Sequence, residues 1–261
     1  MHVIIITDLE GISCVDSIDM ILPYGSEANK KACEYLMQDT NAAVDGAFLG
    51  GATKVTVVDG HGGANNFIMD MLDKRSTYIT TREFVEAHPK DFSYDALMCV
   101  GAHAMAGTVG AFLDHTQSST EWFEYKINGI PCGEMAQQAY TLGVSGAPLV
   151  MMSGDTAACG EAKEMFPGVV CAEVKNTNVR NKAECLPLEE SLSIIRNAAK
   201  LGVEKAKEIK PTIISLPAEI TVTFTRNDYC DFRFKEGITQ RNGRTLTKTI
   251  KEINCYRDLG F

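Results

Sequence analysis

Four short β-branched and apolar runs, at residues 3–6, 54–58, 96–100 and 148–152, mark the first part of the chain. They are followed by Thr7-Asp8-Leu9-Glu10, Asp59-Gly60-His61, Gly101-Ala102-His103 and Ser153-Gly154-Asp155. A run that does not alternate with polar residues is buried on both faces. In a strand, that requires a parallel sheet covered by helices on both sides. The segments between the runs read as helices: 27–49, closed by Gly50-Gly51, then 133–142, and 156–166, stopped by Pro167-Gly168. A further helix is expected from Pro187 to about residue 210. Residues 220–225 and 230–234 alternate like half-exposed strands. The expected fold class is α/β, a mostly parallel central sheet flanked by helices. The expected domains are a metal-binding domain over 1–185 and a smaller α+β subdomain over 186–261.

Composition narrows the function. The chain has 261 residues, 45% of them hydrophobic, enough to bury a core without disulfides or a structural metal. Any metal site is then expected to be functional. A formal charge of −9 and the absence of a basic stripe argue against a nucleic-acid partner. The nine cysteines are odd in number and form no CxxC pair, which reads as reduced thiols acting as small buried hydrophobes. No signal-peptide pattern frames the first strand, and no apolar run approaches the roughly 20 residues a membrane span needs. A cytoplasmic protein is the resulting expectation.

The strand ends carry the chemistry. Asp8 and Glu10 lie two residues apart, so both carboxylates can face one point. His61 and His103, two of only five histidines, occupy matching positions after the second and third runs, among glycines and alanines that let ligands approach. Open α/β sheets bind ligands beyond the carboxyl ends of their strands. Mixed imidazole and carboxylate donors suit zinc, and manganese or cobalt would also be accepted. Four such ligands are many for one catalytic ion, and a carboxylate shared by two ions roughly 3.5–4 Å apart fits the count better. Glu134, at a predicted helix start after Gly133, is the natural fifth ligand. His115, in a loop after a Gly-rich stretch, is a candidate for acid/base work or charge stabilisation. His2 reads as a strand residue and His88, before Pro89, as a turn residue. Lys175 and Arg180 could take a substrate carboxylate, but solvated surface positions are the simpler expectation.

These segments resemble the D-aminopeptidase family of zinc metallopeptidases. The match rests on Asp8-Leu9-Glu10-Gly11-Ile12-Ser13, Asp59-Gly60-His61, Gly101-Ala102-His103-Ala104, Asp114-His115 and Gly133-Glu134, in order over about residues 1–190. Cys14 stands where a small residue, usually glycine, is expected. The loop between His115 and Glu134 is Ser/Thr- and aromatic-rich, and the tail after 210 matches loosely. The resemblance implies two Zn2+ per chain. Asp8 would bridge them, with Glu10 and His61 on one ion, His103 and Glu134 on the other, and His115 as the catalytic histidine. It implies hydrolysis of the N-terminal amide bond of a short peptide or amino-acid amide. It further implies a ring-shaped homo-oligomer, with the tail serving assembly and substrate access. Two rival readings stand beside it: a two-metal phosphoesterase, and an inactive metal- or peptide-binding protein. The phosphoesterase lacks its usual Gly-Asn-His signature and a phosphate-cradling basic cluster.

Overall fold

The first strand sets the frame. A computed structural model describes residues 1–261, the side chain of Asn178 apart. In β1 (His2–Thr7) every residue after His2 is buried. Val3 and Ile5 face one apolar layer, Ile4 and Ile6 the other, so the uniform run fills two cores at once. The chain continues through α1 (Glu27–Leu49), β2 (Lys54–Asp59), β3 (Thr77–Ile79), α2 (Thr81–Glu86) and β4 (Ala96–Ala102). Next come β5 (Trp122–Ile127), β6 (Ile130–Pro131), α3 (Glu134–Gly143), β7 (Leu149–Asp155), α4 (Thr156–Met165), β8 (Val170–Val179) and β9 (Lys182–Cys185). The last part holds α5 (Leu188–Lys205), β10 (Ala218–Phe224), α6 (Asn227–Arg233), β11 (Thr239–Asn242) and β12 (Thr245–Ile250).

The main sheet runs β3-β2-β1-β4-β7-β8-β9, parallel throughout except for the β8–β9 hairpin. The chain starts at β1, winds outward to β2 and β3, then returns to place β4 on the other side of β1. The strand order therefore reverses between β1 and β4, and a crevice opens beyond their carboxyl ends. On one face α1 and α5 pack through Leu36, Ala43, Ile195 and Val203. On the other lie α3 and a second, antiparallel sheet ordered β11-β12-β10-β5-β6, through Ala136, Tyr125, Ile220, Val222 and Leu246.

Local signals explain the element ends. The Ser26 hydroxyl caps α1 by accepting from Asn29 N at 3.1 Å, and Gly51, at φ +101°, turns the chain out of it. The Asp155 carboxylate caps α4 by accepting from Ala158 N at 2.7 Å.

The α/β reading holds, and three details of it do not. Residues 230–234 are not a strand: residues 227–233 form α6, whose single buried residue is Cys230. The helix after Pro187 stops at Lys205, five residues short of expectation. The sheets do not divide the chain at residue 185, because β5 and β6 precede that point yet belong to the second sheet, and α5 follows it yet covers the first. Strand pairing over about 90 residues, Ile127 with Ile220 for example, is invisible to local periodicity. The nine cysteines are free thiols. No helix among the described residues is long and apolar enough to cross a membrane.

Candidate metal centre

Asp8 and Glu10 lie just past β1, His61 just past β2 and His103 just past β4. These are the three neighbouring strands around the reversal of strand order. The loops that carry them touch backbone to backbone. Asp8 N donates to Val100 O at 2.8 Å, and Gly11 N to Gly101 O at 2.7 Å. A Cβ on Gly11 would stand 2.1 Å from Ala102 O. One on Gly101, where φ is +76°, would stand 2.3 Å from Asp8 O. Glycine at both positions is a steric requirement of this approach.

The side chains converge around Asp8. Its Oδ1 lies 2.9 Å from His61 Nδ1, and its Oδ2 lies 3.2 Å from His103 Nε2. Glu10 Oε2 is 3.0 Å from the same His61 nitrogen. Glu134, the first residue of α3, brings Oε1 to 3.5 Å from His103 Nε2. The ring of His115 stacks on that of His103, centroids 3.9 Å apart, and its Nε2 is 3.7 Å from Glu134 Oε1. All six residues singled out in the sequence thus meet in one place. His2 and His88 lie apart from it, in β1 and at the cap of a short helical turn.

Electrostatics ties these groups together. Burial pushes the His61 imidazole down, but Glu10 and Asp8 outweigh it and raise its pKa to about 12. His103 is likewise raised well above the ordinary range by Asp8 and Glu134 against the opposing effect of burial. Burial alone would raise Asp8 and Glu134, yet the neighbouring imidazoles hold both down. One buried and two half-buried carboxylates around two imidazoles therefore attract positive charge strongly.

The donor set fits a metal. His61 Nε2 is buried without a partner among the described residues, and Glu10 Oε2 and His103 Nε2, though 3.0 and 3.2 Å from a neighbouring side chain, make no well-aligned hydrogen bond. Leaving such atoms unsatisfied costs about 1–3 kcal/mol each, and coordination removes that cost. Donor atoms of Asp8, Glu10 and His103 lie within 4.8 Å of one another, as do those of His103, His115 and Glu134. The two groups share His103, which places them side by side. The His103 ring is oriented by its own backbone neighbourhood, Nδ1 lying 2.9 Å from Ala104 O, which leaves Nε2 facing the carboxylates.

The loop between β4 and β5 delivers His115, and carboxylates hold it. Asp114 accepts from Gly107 N at 2.7 Å and pairs with Arg180. Asp155 accepts from Phe112 N at 2.6 Å, and Glu161 from Met105 N at 3.0 Å. Leu113, at φ +55°, turns its carbonyl to within 2.9 Å of His115 Nδ1. Arg180 is exposed as expected, yet it is tied to Asp114 beside the site. Lys175 departs from expectation: it is 2% exposed, with its ammonium on backbone carbonyls.

Several site residues had no signal in the sequence. Gln117, at φ +61°, donates its N–H to Glu134 Oε1 at 2.8 Å, and its side-chain amide donates to Gln137 Oε1 at 2.8 Å. Tyr256, from the tail, donates to the same Gln137 oxygen at 3.2 Å. These residues, with Tyr24, Arg180 and Lys248, line a cleft of about 1120 Å3 that opens onto Asp8, Glu10, His61, His115 and Glu134. A tyrosine far along the chain from its partners gives no local pattern that would mark it.

Comparisons with known proteins give the chain's family and fold. The profile of the family described as D-aminopeptidase matches residues 1–257. A D-aminopeptidase of Bacillus subtilis (strain 168) is 28% identical over 206 residues, covering 78% of this chain and 74% of the relative. The solved structure of the zinc-dependent D-aminopeptidase DppA from Bacillus subtilis, described as a self-compartmentalizing protease, superposes with a TM-score of 0.90. It is 22% identical and covers 99% of this chain and 95% of that one.

Proposed function

The chain belongs to the D-aminopeptidase family and is a peptidase, and from that premise we propose that it removes the N-terminal residue of short peptides or amino-acid amides at a two-zinc centre. The observation that carries the two-metal reading is the division of Asp8. One carboxylate oxygen faces His61 and the other His103. Glu10 stands beside the first imidazole and Glu134 beside the second. On this reading Asp8 would serve both ions, Glu10 and His61 would hold one, and His103 and Glu134 would hold the other. Manganese or cobalt would satisfy the same donors.

Zinc bound there supplies Lewis acidity and brings the pKa of water toward about 7. The remaining work falls to the chain's own groups. His115 donates Nδ1–H to the Leu113 carbonyl, which leaves Nε2 as the proton acceptor facing Glu134. From there it takes a proton as the nucleophile attacks and returns it to the leaving amine. A cleft of about 1120 Å3 is sized for a short peptide and not for a folded protein. Its carboxylates favour the free α-ammonium of the substrate, which accounts for cutting from the amino end.

Assembly as a homo-oligomer belongs to the same reading. It draws on the description of DppA as self-compartmentalizing and on exposed apolar side chains such as Val109, Ile213 and Phe232. The tail lines the cleft through residues 235–238 and Tyr256, which suits a role in substrate access. The phosphoesterase reading is set aside, because the family profile spans nearly the whole chain.

The test is a purified protein with its metal content measured, offered paired D- and L-aminoacyl amides and dipeptides. Two zinc ions per chain, with turnover lost on chelation and regained on zinc addition, is the expected result. Metal uptake with no turnover across the panel would make the protein a binding module instead.

A further inference from the structure

We propose that Lys175 is a positioning residue of the metal centre, its buried ammonium clamping the loop that presents Asp8 and Glu10. The inference rests on the metal reading above. The side chain leaves β8 and runs under the loop that follows β1. There Nζ donates to Glu10 O at 2.7 Å and to Val15 O at 2.6 Å. It also stands 4.6 Å from the centroid of the Phe112 ring, three residues before His115. No carboxylate lies within ion-pair distance of it among the described residues, so its contacts are two carbonyls and a ring.

An ammonium this deeply buried is costly unless its donors are used, and both contacts fall on catalytic loops. The loop after β1 is irregular, with Cys14 at φ +61°, and its carbonyls at positions 10 and 15 take no backbone N–H, Val15 O taking the Cys185 thiol at 3.7 Å besides Lys175. On its other side the Ser13 N–H donates to Asp39 Oδ2 at 2.8 Å. A buried cation thus grips the carbonyls of the loop while a buried anion grips an amide. Fixing the Glu10 carbonyl fixes the peptide from which its side chain reaches to within 3.0 Å of His61. Through Phe112 the same ammonium touches the loop that carries His115. Lys175 is accordingly part of the framework and not a substrate anchor.

The experiment measures zinc affinity of wild type, Lys175→Met and Lys175→Gln by competition with a chromophoric chelator at 20 °C, with the folding of each checked by circular dichroism. Zinc binding is expected to weaken 10–100-fold in Lys175→Met, as for other residues that orient ligands, and less in Lys175→Gln, which keeps one donor. Tyr125→Phe serves as the control. It removes a buried hydrogen bond to Leu259 O remote from the loop, and should lower the melting temperature without changing zinc affinity. Wild-type zinc affinity in folded Lys175→Met, whatever its melting temperature, would overturn the proposal. So would failure of both Lys175 variants to fold, which would make Lys175 a fold residue. A wild type that binds no zinc would sink the metal reading itself. Wild type that binds zinc without hydrolysing peptides would sink only the peptidase reading.

Discussion

Asp8 is placed where each of its oxygens meets a different imidazole, and His115 stacks on one of those rings at 3.9 Å. Removing the His115 ring should leave the five ligands intact. For His115→Ala we expect kcat to fall about 10²–10⁴-fold with zinc content unchanged, measured by steady-state kinetics and elemental analysis. A parallel loss of zinc would make His115 a ligand and not a proton carrier. Asp39 offers a second test. Burial raises its carboxyl to about 6 from an ordinary 3.8. The folded state therefore holds a proton that the unfolded chain releases between about pH 4 and 6. The stabilisation from Asp39 is complete below about pH 4 and is lost as pH rises through 6. Asp39→Asn keeps an acceptor for the Ser13 N–H and discards the charge. Its stability relative to wild type should improve by up to about 3 kcal/mol between pH 4 and pH 7, in denaturant titrations of the metal-free proteins. A constant difference across that range would contradict the buried-carboxylate assignment.

At the scale of elements, the centre depends on how closely the loops after β1 and β4 approach. Gly101 combines φ +76° with space for no side-chain atom, a Cβ there falling 2.3 Å from Asp8 O. Gly101→Ala should cost about 2–5 kcal/mol, the sum of backbone strain and overpacking. It should also weaken zinc binding, because relief requires the Asp8 peptide to move. Chemical denaturation and chelator competition read the two effects separately. Alanine accepted at 101 without either effect would mean that the loops are not pinned. The β4–β5 loop is held differently, by Asp114, Asp155 and Glu161 on its amides, so carboxylates from α4 and its cap set the position of His115.

For the whole molecule, metal and fold should be linked. Carboxylates hold His61 at a pKa of about 12, so at neutral pH its imidazole carries a proton that a cation must displace. Zinc uptake should release at least about one proton per chain, and apparent affinity should rise with pH. Calorimetry in buffers of different ionisation heat measures the release, and equal heats in all buffers would refute it. Zinc at about 1,000 times its Kd should stabilise the fold by about 4 kcal/mol, read as a higher melting temperature.

What could be read without coordinates was what is local. Continuous apolar runs specified buried parallel strands, because burial on both faces leaves no room for alternation, and β1, β2, β4 and β7 follow them closely. The ligand-type residues were visible because a parallel sheet puts the residues after its strands on one rim. What needed tertiary structure was long-range. The second sheet joins β5 to β10 across about 90 residues, and Tyr256 reaches Gln137 from 119 positions away. A helix over 227–233 replaced an alternating pattern because packing on the second sheet, through Cys230, decides a segment whose local preference is weak. Lys175 is the clearest case. A lysine reads as surface because burying its charge is costly, and only the fold could bring two carbonyls without backbone partners to offset that cost.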